Sequence, residues 1–257
     1  ARILSAIPRS KSMDWTKAKS ILIVALIVTN LVLIATYFFQ TNDLKNNENE
    51  MKSVTVKLLE QQNIFVDSDI IPKDHKRMAK LTVQYDKMNE NVINTQIADQ
   101  KALPESKRTE ENYISMTQEF LESCGLMTEN VTYDGAEPAG SDILLTYKNC
   151  INGIAIEKSY IIFTIRDGKI VDFKRFWLNP TEISDNEKDV IPANAALIKF
   201  MSENTEGIRI NVEDVSMVYW LDTSSFDAES PVTDTAFPAW KITYNHGKVK
   251  YILAWEQ

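Results

Sequence analysis

The hydrophobic pattern changes character near residue 40. Residues 21–39, ILIVALIVTNLVLIATYFF, contain no charge. Every face of a helix drawn through them is apolar, which suits a lipid environment better than the one-sided stripe of a soluble helix. At about 1.5 Å per residue the segment reaches about 28 Å, against a hydrocarbon core of about 30 Å. A cleaved signal has a shorter apolar region, roughly 7–15 residues, and ends in a small-x-small site. This run ends in Tyr37-Phe38-Phe39-Gln40, so it reads as an anchor that stays. Arg9, Lys11, Lys17 and Lys19 lead into it, whereas Lys45, Lys52 and Lys57 follow it diluted by Asp43, Glu48 and Glu50. That bias predicts a cytoplasmic N-terminus over residues 1–20, one transmembrane helix over 21–39, and the rest of the chain outside the cell. Residues 1–12, ARILSAIPRSKS, read as an extension ahead of a start at Met13.

Beyond residue 40 the pattern becomes that of a folded domain. Residues 40–65 read as a membrane-proximal stalk and helix. Met51, Val54, Leu58 and Phe65 recur there over too few turns for a coiled coil, so an amphipathic helix packed on the domain is expected. A strand follows at 80–85, KLTVQY. Then one order of elements is predicted twice. A helix over 109–123 starts at the N-cap candidate Thr109 and stops at Gly125, strands follow at 142–147 and 154–165, and Asp167-Gly168 turns the chain into KIVDFKRFWL. Next come a helix over 192–204, a strand over 215–221, and a closing hairpin with its turn at His246-Gly247. The closing segments GKIVDFKRFW and GKVKYILAW resemble each other. Turns this tight make antiparallel pairs. The predicted fold is therefore α+β: antiparallel sheets with flanking helices in two similar subdomains, 66–180 and 181–257.

Charge and chemistry narrow the function. Five of the 28 basic residues and one of the 36 acidic ones precede the apolar segment, leaving 23 and 35 beyond it, a net of −12. So acidic a domain does not suit nucleic acid, whose binding rests on Lys and Arg. His75 and His246 each stand alone in turn-like sequence, without a second ligand at metal spacing. SDNEKD at 184–189 starts like a calcium loop but lacks the following Gly and the closing Glu. No nucleophile elbow, phosphate loop or dinucleotide fingerprint occurs. No catalytic, cofactor or metal residue is therefore assigned, and the chain is not expected to be an enzyme. Cys124 and Cys150 can either pair with each other or remain small buried hydrophobes or idle thiols.

Asn30 lies mid-way along the apolar segment. An amide there can hydrogen-bond to a neighbouring helix, for roughly 0.6–2 kcal/mol. By three- and four-residue spacing it shares a face with Ile23, Leu26, Ile27, Leu33, Ile34 and Tyr37. This face is the candidate partner contact.

MDWTKAKSILIVALIVTNLVL from Met13, QQNIFVDSDIIP at 61–72, DGKIVDFKRFW at 167–177 and AFPAWKITYNHGKVKYILAW at 236–255 together resemble the YycI (WalI) family. The resemblance implies a single-pass protein of the cell membrane in low-GC Gram-positive bacteria. It implies partnership with a YycH-type accessory protein and a sensor histidine kinase of the WalK/YycG type, which with WalR (YycF) controls cell-wall metabolism. It also implies helix-to-helix contact within the lipid bilayer, and it transfers no catalytic residue. Two alternative readings stay open: a membrane-anchored extracellular module that binds a peptide or a wall fragment, and a membrane-anchored hydrolase with an unfamiliar site.

Overall fold

The structure, a computed structural model, describes residues 50–72, 77–203, 207–221 and 233–255, together with Lys19, Leu22, Ile23, Ala25, Leu26, Thr29, Asn30 and Leu33. The chain divides into two compact units, 1–54 and 55–257. In the first unit, the described residues between 19 and 33 are each helical. Among the described residues, no helix is long and apolar enough to cross a membrane. Most of the predicted 21–39 span lies outside them.

The second unit is α+β. Helix α1 covers residues 50–60. Its residues from 55 on enter the unit through Thr55 and Leu59, which are buried, while Leu58 faces outward. A turn over 61–63 follows and closes at Asn63, whose φ is 60°. Short strands β1 (Ile64–Phe65) and β2 (Arg77–Met78) lead to β3 (Leu81–Tyr85). Helices α2 (Glu90–Asp99) and α3 (Glu110–Ser123) follow. A four-stranded meander comes next: β4 (Val131–Ala139), β5 (Asp142–Ile151), β6 (Ile154–Arg166) and β7 (Lys169–Phe176). Then come β8 (Leu178–Ile183), β9 (Lys188–Asp189) and helix α4 (Ala193–Glu203). The chain closes with β10 (Ile210–Trp220), β11 (Thr233–Tyr244) and β12 (Lys248–Leu253).

Ten of these strands form one sheet in the order β4-β5-β6-β10-β11-β3-β8, with β7 on β6, β12 on β11 and β1 on β10. All pairs are antiparallel except the two-residue contacts β1–β10 and β6–β10. The turn chemistry explains the meander. Asn152-Gly153 and Asp167-Gly168 both take left-handed φ, 51° and 79° in the first and 49° and 78° in the second, as tight hairpins require. Helix α3 starts as its sequence suggests. Thr109 Oγ1 accepts from the Asn112 backbone N–H at 3.4 Å and from its side-chain amide at 2.9 Å. Gly125, at φ 68°, ends the helix, and the Leu126 N–H closes back onto the Leu121 carbonyl at 2.8 Å.

Two hydrophobic clusters lie on the sheet. The first runs in sequence from Ile93 to Trp177 and joins α2 and α3 to β4–β7 through Tyr113, Phe120, Leu121, Leu145, Tyr147 and Phe163. The second joins α1, β1–β3, α4 and β10–β12 through Leu59, Leu81, Leu197, Met217 and Trp240. The order helix then antiparallel meander thus occurs twice, with four strands after α3 and three after α4. Ile71, Met78, Leu81 and Val83, placed by sequence in 66–180, are buried in the second cluster, because β3 pairs with β11 and β8 and not with the first meander. The outer part of the 40–65 stalk is likewise core: Leu59 and Ile64 are fully buried.

Candidate functional site

Local sequence places the predicted contact face first. Ile23, Leu26, Asn30 and Leu33 are each helical and exposed; Leu26 and Leu33 both show 61% of their surface. The Thr29 hydroxyl donates to the Ala25 carbonyl at 2.8 Å, so this polar side chain is satisfied within its own helix. Ile27, Ile34 and Tyr37 lie outside the described residues.

The domain carries two buried charged groups that sequence reading passed over. Glu157 on β6 accepts from Lys241 Nζ of β11 at 2.9 Å through one oxygen, and from the Tyr251 hydroxyl of β12 at 2.6 Å through the other. Burial pushes the Tyr251 phenol well above its usual value, and the hydrogen bond to Glu157 adds to the shift. Trp220 lies against the Tyr251 ring, 5.9 Å between centroids. Both carboxylate oxygens are therefore committed, and the group acts as a cross-strand clamp. The second is Arg175, whose guanidinium binds the Asp86 carboxylate at 2.5 Å and the Asp86 carbonyl at 3.1 Å, and lies 5.4 Å above the Trp177 ring. A sign of the first was legible. In IAIEKSYIIFTI, Glu157 and Ser159 fall on the same alternate positions as the core residues Ile161, Phe163 and Ile165. The irregularity at Lys158, φ 63°, then turns Glu157 toward the second meander.

The clefts are open and mixed in character. One, of about 620 Å³, lies between α2 and α3 over Leu103, Met116 and Phe120. Another, of about 680 Å³, lies between the β5–β6 turn and β8, with Cys150, Asn152, Pro180 and Glu182 in its wall. Glu129 and Glu182 line that second cleft with Cys150. Cys124 and Cys150 are both unpaired, and burial raises the Cys124 thiol. His246 is exposed in the β11–β12 turn, where its backbone N–H donates to Glu213 at 2.7 Å. His75 lies outside the described residues. Among those described, no group of three or more His, Cys, Asp or Glu is placed to hold a metal ion. The 184–189 segment runs as an exposed loop into β9.

What the geometry offers is surface: sheet edges, shallow clefts and an exposed helical face. The profile of the YycI protein family matches residues 41–254, and the chain belongs to this family. Membership supports an accessory regulatory role for the WalK two-component system in general. The matched residues begin just after the predicted membrane segment. A comparison with curated proteins found no match to the chain.

Proposed function

We propose that residues 21–39 cross the membrane once, with the N-terminus in the cytoplasm, and that this helix carries the regulatory contact. The chain then modulates a WalK-type sensor histidine kinase together with a YycH-type accessory protein. Family membership supports the regulatory role. The observation that carries the helix reading is the exposed face of Ile23, Leu26, Asn30 and Leu33, apolar apart from one amide. In lipid that amide is best satisfied by another helix.

The mechanism is a coupling of equilibria. A kinase with two signalling states shifts toward whichever state a partner binds better. A differential of about 1.4 kcal/mol changes the ratio tenfold. One interhelical hydrogen bond of roughly 0.6–2 kcal/mol is of that size.

Asn30→Leu keeps the side-chain volume and favours insertion. It is expected to weaken association with the kinase and the accessory protein by about 3- to 30-fold, read by FRET in membranes, with kinase-controlled wall genes changing in parallel. Val28→Leu, on another face, is the control. If exchanging all of 21–39 for an unrelated anchor leaves association and gene output unaltered, the contact lies elsewhere.

A further inference from the structure

Among the described buried residues, the chain passes between the two hydrophobic clusters four times. The passes lie between Val83 and Ile93, between Tyr147 and Ile151, between Ile156 and Ile161, and from Trp177 directly to Leu178. The β5–β6 hairpin is broken at this level. Lys148 faces Tyr160 and Cys150 faces Ala155, so Asn149 of β5 stands alone against residues 156–159 of β6. Lys158 in that stretch takes φ 63°, in the left-handed region that residues with a Cβ seldom enter. The hairpin end goes with the second meander: Ala155 and Ile156 pair with β10, and Glu157 holds Lys241 and Tyr251.

Polar bonds lace the four passes together. The Asp86 N–H donates to the Trp177 carbonyl at 2.9 Å, and the Arg175 guanidinium binds Asp86. The Leu178 N–H donates to the Ser159 hydroxyl at 3.1 Å, and its carbonyl accepts from the Asn149 side-chain amide at 2.8 Å. Asn149 Oδ1 and Arg175 Nε are buried and have no hydrogen-bond partner among the described residues. Such atoms weigh against the closed form, because exposure to water satisfies them. Apolar burial, the main source of cohesion, is divided between the two clusters, while polar bonds cross the seam. The cleft of about 680 Å³ lies on this seam, lined by Glu129 and Thr132 on the β4 side and by Thr181 and Ile183 of β8.

We infer that this seam is a hinge that opens as a unit. The Asp86–Arg175 pair and both Leu178 bonds release together while each meander keeps its own cluster, so the domain has a hinged state beside the closed one. The cleft widens in the hinged state. The inference rests on the domain alone and is independent of the membrane helix.

The test is residue-resolved hydrogen exchange on the detergent-solubilised full chain, in steps of urea below the unfolding transition. The Leu178 and Asp86 amides are expected to match each other. Both should be about tenfold or more less protected than the bonded amides at the centre of the β6–β7 and β10–β11 ladders, with a shallower dependence on urea. Two variants separate hinge opening from unfolding. Gly140→Ala strains the β4–β5 turn, at φ 68°, in the closed and hinged states alike. It should speed exchange in the β6–β7 ladder about fivefold or more and leave Leu178 unchanged. Asp86→Asn leaves Arg175, whose side chain is 3% exposed, without its counter-charge in the closed state alone. It should speed exchange at Leu178 about fivefold or more. The proposal is overturned if Leu178 shares the protection and urea dependence of the ladders, follows them in Gly140→Ala, or does not respond to Asp86→Asn. If Asp86→Asn fails to fold, the unsubstituted chain and Gly140→Ala decide.

Discussion

Lys241→Met tests the clamp between the strands of the second meander. The substitution keeps most of the aliphatic stem and removes the ammonium that lies 2.9 Å from Glu157. The Glu157 side chain is 10% exposed and that of Lys241 19%. Removing one partner of a fully buried pair costs about 3–5 kcal/mol, because the remaining charge is stranded. Partial access of water to Lys241 reduces this to about 2–3 kcal/mol. Tyr251 keeps its 2.6 Å bond to the other oxygen, so the carboxylate is not left wholly unsolvated. Glu157→Gln in the Lys241→Met background should restore about 1 kcal/mol or more, since the stranded charge is gone and an amide can still meet Tyr251. The assay is urea unfolding of the detergent-solubilised chain followed by tryptophan fluorescence, with Trp220, packed against Tyr251, as a local reporter. A loss below about 0.5 kcal/mol for the single variant, or strict additivity in the cycle, would refute the reasoning. The pair would then be solvated in practice and its apparent burial without energetic weight.

Three further outcomes follow from single positions. Gly168→Ala should destabilise by about 2–4 kcal/mol, since φ is 78° and a Cβ there would meet the Leu103 carbonyl at 2.6 Å; Gly140→Ala, at φ 68° with open space around it, should cost only about 1–2 kcal/mol in the same urea assay. Tyr133, Tyr147, Tyr219 and Tyr251 all have raised phenol values, that of Tyr133 to about 12, through burial first and then Glu110. A raised value in the fold means stability that is intact below the ordinary tyrosine range and lost as pH rises through the folded values. Absorbance at 295 nm should therefore show these phenols ionising late and together with unfolding; simple titration of every tyrosine near pH 10 would contradict it. Asp142, bound through both oxygens by Arg166 at 2.6 Å, has its carboxyl held below the usual range. That contribution is present above the unfolded carboxylate value and fades as pH falls through the folded one. Asp142→Asn should lower the melting temperature slightly at pH 7 and leave it unchanged in strong acid, and a shift of equal size at both pH values would count against the ion pair.

Much of the meander was readable because its turns are written in residues with few other uses. Asp167-Gly168 and the helix signals Thr109 and Gly125 sit where the sequence places them. Three elements were not readable, for physical reasons. Strand β4, VTYDGAEPA, contains a Gly and a Pro that suggest a loop; Gly135 sits at a register shift and Pro138 is tolerated because β4 is an edge strand. Helix α2 buries only Ile93, so its amphipathic signal is weak. Its support comes from outside its own pattern, from the Asn89 cap and from Gln100, just past its end, whose side-chain oxygen accepts from the Ile170 N–H at 2.8 Å. Strand β8 reads as a linker because it is half exposed and interrupted by Pro180, yet β3 fixes it through five paired positions. Of the candidate contact face, the sequence defines the spacing around Asn30. The clamp at Glu157 needed the third dimension, since Lys241 and Tyr251 lie more than 80 residues away in the chain.

The way the two clusters draw on the chain sets an order of events during synthesis. The first cluster uses residues from 93 to 177 and is complete once Trp177 has emerged. The second needs Leu59, Ile64 and Leu81 from the beginning of the domain and Trp240, Ile252 and Ala254 from its end. At roughly 5–20 residues per second, its last members arrive about 4–15 s after the first cluster can close. During that interval β3 can meet β8, but the apolar side chains of β1 and β3 still lack α4 and β10–β12, while the domain behind them is already folding. A chaperone or a sister protein that shields residues 59–85 in those seconds would raise the yield of folded chain without changing the final structure, and a premature stop between 178 and 254 would release one finished cluster tethered to an unfinished one.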